Sequence, residues 1–278
     1  MKLYKTAKGI VIEKDDLFYL SPGKSWAAML NRDDLYPQLE KETESLTPDS
    51  SIAGWLNDAL QPPVDHQEVW AAGVTYLRSR NARMDESKET GGATFYDKVY
   101  DAERPELFFK STPQKVVGSN QQVRIRKDST WNVPEPELVL FITSSARIVG
   151  YSIGNDMSSR SIEGENPLYL PQAKMYDKSA AVGPCVYVPE KPIAPETNIN
   201  ITIKRGSNTI FSDSTPISQM KRSHQELVDY LYFESTFPSG CFLMTGTCLV
   251  PPNDFTLQKD DEISITIDHI GTLINTVE

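Results

Sequence analysis

The segment VPEPELVLFITSSARIVGYSIGND, residues 133–156, predicts the pair of strands around which the rest of the chain is arranged. The run LVLFI after Glu137 is apolar enough for a buried strand. Residues 147–154 predict a second strand, antiparallel to the first across a turn at residues 143–146. Side chains two residues apart on a strand lie on the same face, so we expect Glu135 and Glu137 to share one pocket.

Asp156 follows the second predicted strand, and we expect it to lie near the start of the first, beside Glu135 and Glu137. Three carboxylates this close raise one another's pKa and repel unless a cation neutralises their charge. All-oxygen ligands favour a hard divalent cation, so the sequence predicts a Mg²⁺ site, with Mn²⁺ or Ca²⁺ as alternatives. A solvated pair of charges on an edge strand is the competing explanation of the E-x-E spacing.

The composition limits the class of partner. A formal net charge of -10 over 278 residues argues against nucleic acids and anionic membranes, and it favours a small-molecule partner. No apolar run approaches the length of a membrane span, and residues 1–9 do not resemble a signal peptide. Cys185, Cys241 and Cys248 are odd in number and have no C-x-x-C spacing, so we expect reduced packing residues in a cytoplasmic protein.

The pattern of apolar residues predicts a strand-dominated α+β fold rather than a doubly wound sheet. Residues 1–65 are expected to form a small N-terminal α+β domain with roles in packing and subunit contact, and residues 66–278 a catalytic domain. In the first part we predict a hairpin over 9–20 and helices over 25–31 and 52–60. In the second part, besides the central pair, we predict strands near 68–76, 108–109, 122–126, 185–188, 198–205, 208–211, 262–267 and 272–277, and a helix over 223–233.

The order of motifs along the chain resembles the fumarylacetoacetate hydrolase superfamily, whose pattern is E-x-E, a strand, D-x-S-x-R, a lysine, Gly-Pro and a late Thr-Gly. The matching residues are Glu135, Glu137, Asp156, Ser158, Arg160, Lys174, Gly183-Pro184 and Thr245-Gly246. The resemblance covers about residue 68 to residue 278. It implies that Glu135, Glu137 and Asp156 are metal ligands, that Lys174 is an active-site residue, and that the catalytic domain is a mixed β-roll.

Within that superfamily, several segments are most similar to the dehydratases of pentose-derived sugar acids. These segments are EVW, GVTY, YDKVYDAERPELFFK, WNVPEPEL and ENPLYLPQAK, which lie between residues 68 and 174. The resemblance implies a metal-dependent hydro-lyase of sugar-acid catabolism, with 2-keto-3-deoxy-D-arabinonate as substrate and 2,5-dioxopentanoate as product. The family also suggests a homodimer or homotetramer.

The histidines bear on the choice of chemistry. Carbon–carbon hydrolases of the superfamily activate water with a histidine just after the tyrosine that corresponds to Tyr76, but here LRSRNAR follows that tyrosine. A second departure is Glu163, which stands where the family has a glutamine; a carboxyl group can transfer protons and an amide cannot. The alternatives that stay open are an acylpyruvate hydrolase or 2-oxo acid decarboxylase on the same metal site, a dehydratase of a longer acid, and a non-catalytic relative.

The proton-transfer residues predicted for a dehydratase are Glu163 and Glu106, one as base at C3 and the other as acid at the C4 hydroxyl, with their order left open. Chelation of a 2-keto acid by Mg²⁺ would acidify the C3 protons, and Lys174 would stabilise the enolate oxygen. An ion pair with Lys110 or Arg104 is the competing explanation of Glu106. The predicted substrate contacts are Thr245, Arg80, Tyr76 and Lys110.

The segment over residues 77–94 is charged and contains Gly91-Gly92, so we predict a helix followed by a mobile lid over the pocket. A merely solvated surface helix is the alternative. Arg80 is the arginine that the dehydratase pattern shares, and it is therefore placed at the substrate carboxylate. Arg78 and Arg83 are the competing choices.

Overall fold

The computed structural model describes residues 1–23, 25–86 and 98–278, and of residues 82, 83, 85 and 86 it describes the backbone alone. The strands are β1 (Lys2–Thr6), β2 (Gly9–Lys14), β3 (Leu17–Leu20), β4 (Glu68–Gly73), β5 (Glu106–Ser111), β6 (Val116–Val117), β7 (Gln121–Val123), β8 (Asn132–Val133), β9 (Pro136–Ile142), β10 (Ile148–Asp156), β11 (Ser158–Ser159), β12 (Ala180–Tyr187), β13 (Asn198–Arg205), β14 (Asn208–Pro216), β15 (Cys241–Met244), β16 (Glu262–Ile267) and β17 (Gly271–Val277). The helices are α1 (Trp26–Leu30), α2 (Leu35–Ser45), α3 (Trp55–Asp58), α4 (Leu77–Glu86), α5 (Arg160–Glu165), α6 (Leu170–Lys174) and α7 (His224–Tyr232). The predicted strand-dominated α+β class is confirmed.

Strands β9 and β10 lie at the centre of the larger sheet, whose order within the described residues is β3-β2-β1-β12-β10-β9-β15-β4-β5, with β6 beside β12. They pair antiparallel across a turn in which the Thr143 N–H donates to the Arg147 carbonyl at 2.9 Å, as predicted. Alternate side chains of β9 enter two different apolar cores, with Leu138 in one and Val139 in the other. Burial on both faces is why the sequence here is continuously apolar.

The second sheet has the order β14-β13-β16-β17-β7 and covers one face of the first. Here the apolar residues alternate, because one face packs on the core and the other meets solvent. Ile199, Ile201 and Ile203 of β13 point inward and are at most 1% exposed, while their neighbours are partly exposed. The predicted strands over residues 198–205 and 262–267 are confirmed. Helix α7 packs on the same core through Leu227, with the Ser223 hydroxyl capping its first turn.

The N-terminal part continues the larger sheet. Strand β1 pairs antiparallel with β12, and Leu3 lies opposite Val186. The hairpin β2–β3 and helix α1 occur where they were predicted, and α1 begins after Ser25, whose hydroxyl accepts from the Ala28 N–H at 3.2 Å. The predicted boundary at residue 65 therefore divides one continuous sheet.

Two helical features differ from the prediction. Helix α2 was not predicted, because only Leu35, Leu39 and Thr43 are buried in a segment that is otherwise polar and contains Pro37. The helix predicted over 52–60 is instead a 3₁₀ turn over Ser50–Gly54 followed by the four residues of α3. Within the described residues, no helix combines the length and apolar character that crossing a bilayer requires.

Candidate active site

The two central strands bring three carboxylates together, as the sequence predicted. Asn155 pairs with Pro136 across β10 and β9, and the Asp156 N–H donates to the Glu135 carbonyl at 2.9 Å. This register places carboxylate oxygens of Glu135, Glu137 and Asp156 within 4.8 Å of one another, in residues that are at most 3% exposed. The charge pair on a solvated edge strand is therefore excluded, because β9 is an interior strand and the carboxylates are buried.

Three buried cations neutralise two of these carboxylates. Lys174 Nζ lies 2.6 Å from Glu135 Oε2 and 3.0 Å from Asp156 Oδ2. Arg160 Nη2 lies 2.7 Å from Glu135 Oε1, and Lys110 forms an ion pair with Asp156 Oδ1. Each of these pairs is almost inaccessible to solvent, so loss of one partner would leave a buried charge that costs several kcal/mol, on the order of 3–5.

Glu137 differs from the other two carboxylates. Within the described part of the chain no lysine or arginine forms an ion pair with it, and its Oε2 accepts from the Gly246 N–H at 2.6 Å. Burial, together with the neighbouring charges of Asp156 and Glu135, raises the pKa of Glu137 well above its usual value. A carboxylate in this position is stabilised by an additional cation.

The donor set fits a hard divalent metal. Glu135, Glu137 and Asp156 offer oxygen ligands from one small volume, which suits Mg²⁺, Mn²⁺ or Ca²⁺. A cation here would offset the burial and the like charges that raise the pKa of Glu137. These three residues would be the protein ligands.

A narrow cleft of about 10 Å³ opens beside the carboxylates. Its wall is formed by Ala72, Gly73, Val74, Ser79, Phe108, Glu135, Glu137, Asp156, Lys174, Gly246 and Thr247. Most of the uncharged wall residues are small, and the Phe108 ring centroid lies 5.8 Å from Lys174 Nζ. The cleft therefore has a charged end, formed by the three carboxylates and Lys174, and an uncharged wall of mostly small residues.

The two predicted proton-transfer residues, Glu106 and Glu163, are not among the residues that line the cleft. Glu106 begins β5 directly opposite Gly73, a wall residue, and its carboxylate lies against the Cα of that glycine. Glu163 lies on α5 three residues after Arg160, so the two side chains share a helix face, and Arg160 contacts Glu135. Glu163 is only 1% exposed.

Lys110 and Lys174 each use all three ammonium hydrogens on protein acceptors. Lys110 donates to the Met157 carbonyl at 3.0 Å and the Lys174 carbonyl at 2.6 Å, in addition to its ion pair with Asp156. Lys174 reaches Ser158 Oγ at 2.5 Å besides its two carboxylates. Burial lowers the pKa of Lys110 to about 8 despite the ion pair. The contacts of Lys110 orient Asp156 and the end of α6, whereas Lys174 also lines the cleft.

The remaining predicted contacts, Thr245, Tyr76 and Arg80, are not among the residues that line the cleft. The Thr245 hydroxyl donates to the Leu138 carbonyl at 2.9 Å, and it is Thr247 that lines the cleft. Tyr76 lines a neighbouring pocket of about 290 Å³ that includes Arg78. The Arg80 guanidinium lies 5.0 Å from the Tyr100 ring centroid.

Other residues of the predicted lid lie outside the described set. The side chain of Arg83 and residues 87–94 belong to this part of the chain, so neither the lid nor that competing arginine is tested. Arg160 and Thr247 had no predicted role, although Arg160 is the arginine of the D-x-S-x-R motif. The motif was a usable signal for Arg160, whereas nothing local distinguished Thr247 from Thr245.

The histidines are all within the described residues, and none lines the cleft. His66 is exposed in the segment before β4, His224 begins α7, and His269 lies in the turn after β16. The charged side chains that line it are Glu135, Glu137, Asp156 and Lys174.

A model of the fumarylacetoacetate hydrolase C-terminal domain matches residues 69–278. This chain belongs to the fumarylacetoacetate hydrolase family. Among its relatives, a Haloferax volcanii protein named probable 2-keto-3-deoxyxylonate dehydratase is 46% identical, over 86% of this chain and 82% of the relative. The 2-dehydro-3-deoxy-D-arabinonate dehydratase of Saccharolobus solfataricus is 41% identical, over 80% of this chain and 76% of its own length.

Solved structures of the family include 2-keto-3-deoxy-D-arabinonate dehydratase complexed with magnesium and 2,5-dioxopentanoate. It superposes with a TM-score of 0.82 at 33% identity and covers 100% of this chain and 99% of the solved one. The apo form of that enzyme gives a TM-score of 0.83 at 32% identity, over 100% of this chain and 99% of the other. The predicted family and its mixed-sheet fold are thereby confirmed.

Proposed function

We propose that this member of the family is a metal-dependent dehydratase that removes water from a 2-keto-3-deoxypentonate, with 2-keto-3-deoxy-D-arabinonate as substrate and 2,5-dioxopentanoate as product. The observation that carries the proposal is a metal-competent carboxylate cluster in a cleft that none of the three histidines lines, with the Glu106 carboxylate against the wall residue Gly73. The names of the relatives at 46% and 41% identity support the same substrate class. A cytoplasmic homo-oligomer in pentose catabolism stays part of the proposal.

The metal, bound by Glu135, Glu137 and Asp156, would supply a positive charge at the keto and carboxylate oxygens of the substrate, which lowers the pKa of the C3 protons. Magnesium in the solved complex named above supports this choice of ion. Arg160, Lys110 and Lys174 keep the ligand carboxylates charged and oriented.

Glu163 and Glu106 act as the acid–base pair. One carboxylate removes a C3 proton, and the other, protonated, gives its proton to the C4 hydroxyl, which leaves as water. The resulting C3–C4 double bond then moves: a proton leaves C5, protons return to C3 and C4, and the C5 hydroxyl loses its proton as the aldehyde forms. Lys174, at the inner wall of the cleft, supplies a fixed positive charge near the enolate oxygen. Substrate contacts by Thr245, Tyr76 and Arg80 stay predictions.

The experiment is a Mg²⁺-dependent assay with 2-keto-3-deoxy-D-arabinonate, in which 2,5-dioxopentanoate is measured through a coupled semialdehyde dehydrogenase and pyruvate is measured separately. The expected result is semialdehyde without pyruvate, abolished by EDTA and by Glu137→Gln. Pyruvate from an acylpyruvate, with no semialdehyde, would replace the proposal with a carbon–carbon hydrolase.

A further inference from the structure

Gly73, in β4, lies in close contact with the side chain of Glu106. The carboxylate of Glu106 occupies the space that a Cβ at Gly73 would take: an ideal Cβ there would meet Oε2, would lie 2.6 Å from Cδ and 3.1 Å from Oε1. Strand pairing places the two residues directly opposite each other.

The backbone does not require a glycine at this position. Gly73 is not among the residues with positive φ, so an alanine could adopt its conformation without strain. Glycine is required here only because the carboxylate of Glu106, the far end of a flexible side chain, occupies the space of a Cβ. A methyl group at residue 73 would therefore move the Glu106 carboxylate rather than the strand.

Gly73 also lines the cleft, together with Ala72, Val74 and Phe108. The Oε2 atom of Glu106 is shielded from solvent at the point where it meets this wall. Gly73 is thus the wall residue against which the Glu106 carboxylate packs.

We propose that Gly73 is a positioning residue for proton transfer, because the absence of a side chain at residue 73 seats the carboxylate of Glu106 against the cleft. The inference rests on the proposed dehydratase function and on the role of Glu106 in it. Proton transfer needs donor and acceptor within about 2.6–3.2 Å. A displacement of about 1 Å can cost on the order of 100-fold in rate.

The test is a double-mutant cycle of Gly73→Ala and Glu106→Gln in the full-length enzyme, with Gly54→Ala as the matched control. Gly54 lies in the turn before α3 with φ -61°, and no atom lies within 4 Å of a Cβ built there. The readouts are kcat and its pH profile, the Kd of Mn²⁺ as metal probe, and the thermal unfolding midpoint.

We expect Glu106→Gln to lower kcat by about 100-fold or more, as loss of a general acid or base does. Gly73→Ala should lower kcat by about tenfold or more and shift one limb of the pH profile, with the Kd of Mn²⁺ and the unfolding midpoint unchanged. In the Glu106→Gln background, Gly73→Ala should have no further effect, because both changes act through one carboxylate. Gly54→Ala should behave as the unmodified enzyme.

Three results would overturn the inference and leave the dehydratase function intact. Two are full activity of Gly73→Ala and full activity of Glu106→Gln. The third is an equal loss of kcat from Gly73→Ala in the unmodified enzyme and in Glu106→Gln, which would mean that the methyl group blocks the cleft directly. If Gly73→Ala does not fold, Glu106→Asp tests the same point, because it keeps the carboxyl group but withdraws it by one methylene. Near-normal kcat in Glu106→Asp would then count against a positional requirement.

Failure of the proposed function is recognised separately, as absence of semialdehyde from the unmodified enzyme. In that case crystal structures of the unmodified protein and of Gly73→Ala still test whether a methyl group at residue 73 displaces the Glu106 carboxylate. A Glu106 carboxylate in the same place in both would contradict it.

Discussion

The three carboxylates of the site differ in their charged neighbours: cations neutralise Glu135 and Asp156 but not Glu137. Glu135 contacts Arg160 and Lys174, while Glu137 accepts from the Gly246 N–H and, among the described residues, has no lysine or arginine as an ion-pair partner. Burial of a charged carboxylate without a cation lowers the stability of the fold by roughly 3–5 kcal/mol, unless the carboxylate binds a proton or a metal. The sequence predicted which residues would meet, because i and i+2 on a strand share a face. It did not predict which cations would accompany them, because Lys110 and Arg160 come from other elements.

Glu163→Gln should abolish elimination while leaving metal binding intact. The amide fills the same volume but cannot accept a proton from carbon, so we expect kcat to fall by about 100-fold or more. Calorimetric titration with Mg²⁺ and the coupled semialdehyde assay measure the two properties. Glu165→Gln, on the exposed side of the same helix, is the control. Near-normal turnover of Glu163→Gln would remove this residue from the mechanism.

Thr245→Val and Thr247→Val should have different effects. The Thr245 hydroxyl donates to the Leu138 carbonyl in a fully buried position, so its loss should lower the free energy of unfolding by about 1–3 kcal/mol. Thr247 lines the cleft, so its loss should raise KM by several-fold and leave stability nearly unchanged. Urea unfolding and steady-state kinetics on both variants check this. The reverse pattern would mean that Thr245 is the substrate contact.

At the scale of elements, the sequence pattern succeeded where burial is regular. Strand β9, buried on both faces, and β13, buried on one, carry the apolar patterns that these environments require. Helix α7 has both an apolar stripe and the Ser223 cap, and it was predicted almost to its ends. Helix α2 has only a thin apolar stripe, and it forms because Leu35 and Leu39 pack on the larger sheet, a contact that local sequence does not reveal.

His224, at the start of α7, should make stability depend on pH. Burial lowers the pKa of its imidazole to about 4, whereas an unfolded chain takes up the proton near the ordinary value of 6.5. The unfolded state therefore gains protons first as the pH falls. The free energy of unfolding should decrease between about pH 6.5 and 4, by about 3 kcal/mol in all, and then level off.

Urea unfolding of His224→Gln across that pH range measures this effect. The variant should lose much of the slope, because glutamine does not titrate. His66→Gln, at an exposed position, is the matched control and should keep the slope of the unmodified protein. An unchanged slope in His224→Gln would place the pH dependence in other groups.

At the scale of the whole molecule, the N-terminal part and the rest of the chain share a sheet and a core. Leu3 is inaccessible to solvent and packs in the same cluster as Val139 and Phe242. The domain predicted over residues 1–65 ends close to Gln61-Pro62-Pro63, between α3 and β4. The pairing of β1 with β12 spans about 180 residues of sequence and leaves no local signal.

Leu3→Ala should therefore destabilise both parts together. Removal of a fully buried leucine side chain costs about 2–5 kcal/mol, and hydrogen exchange should show the same loss of protection in β1 as in β9. Leu17→Ala on the edge strand β3, where the side chain is 47% exposed, should change stability by less than about 0.5 kcal/mol. Loss of protection confined to residues 1–65 would instead support an independent N-terminal domain.

The sequence by itself determined the class of fold, the central strand pair and the three carboxylates that meet at its end, because strand periodicity and chain order act over short distances. Only the tertiary structure decided which side chains complete the site. Lys110, Arg160, Thr247 and Gly73 reach it from four separate segments, and Thr245, which neighbours Thr247, is committed to the backbone of β9. These contacts depend on strand order and register across the sheet, and those are fixed by packing between residues far apart in the chain.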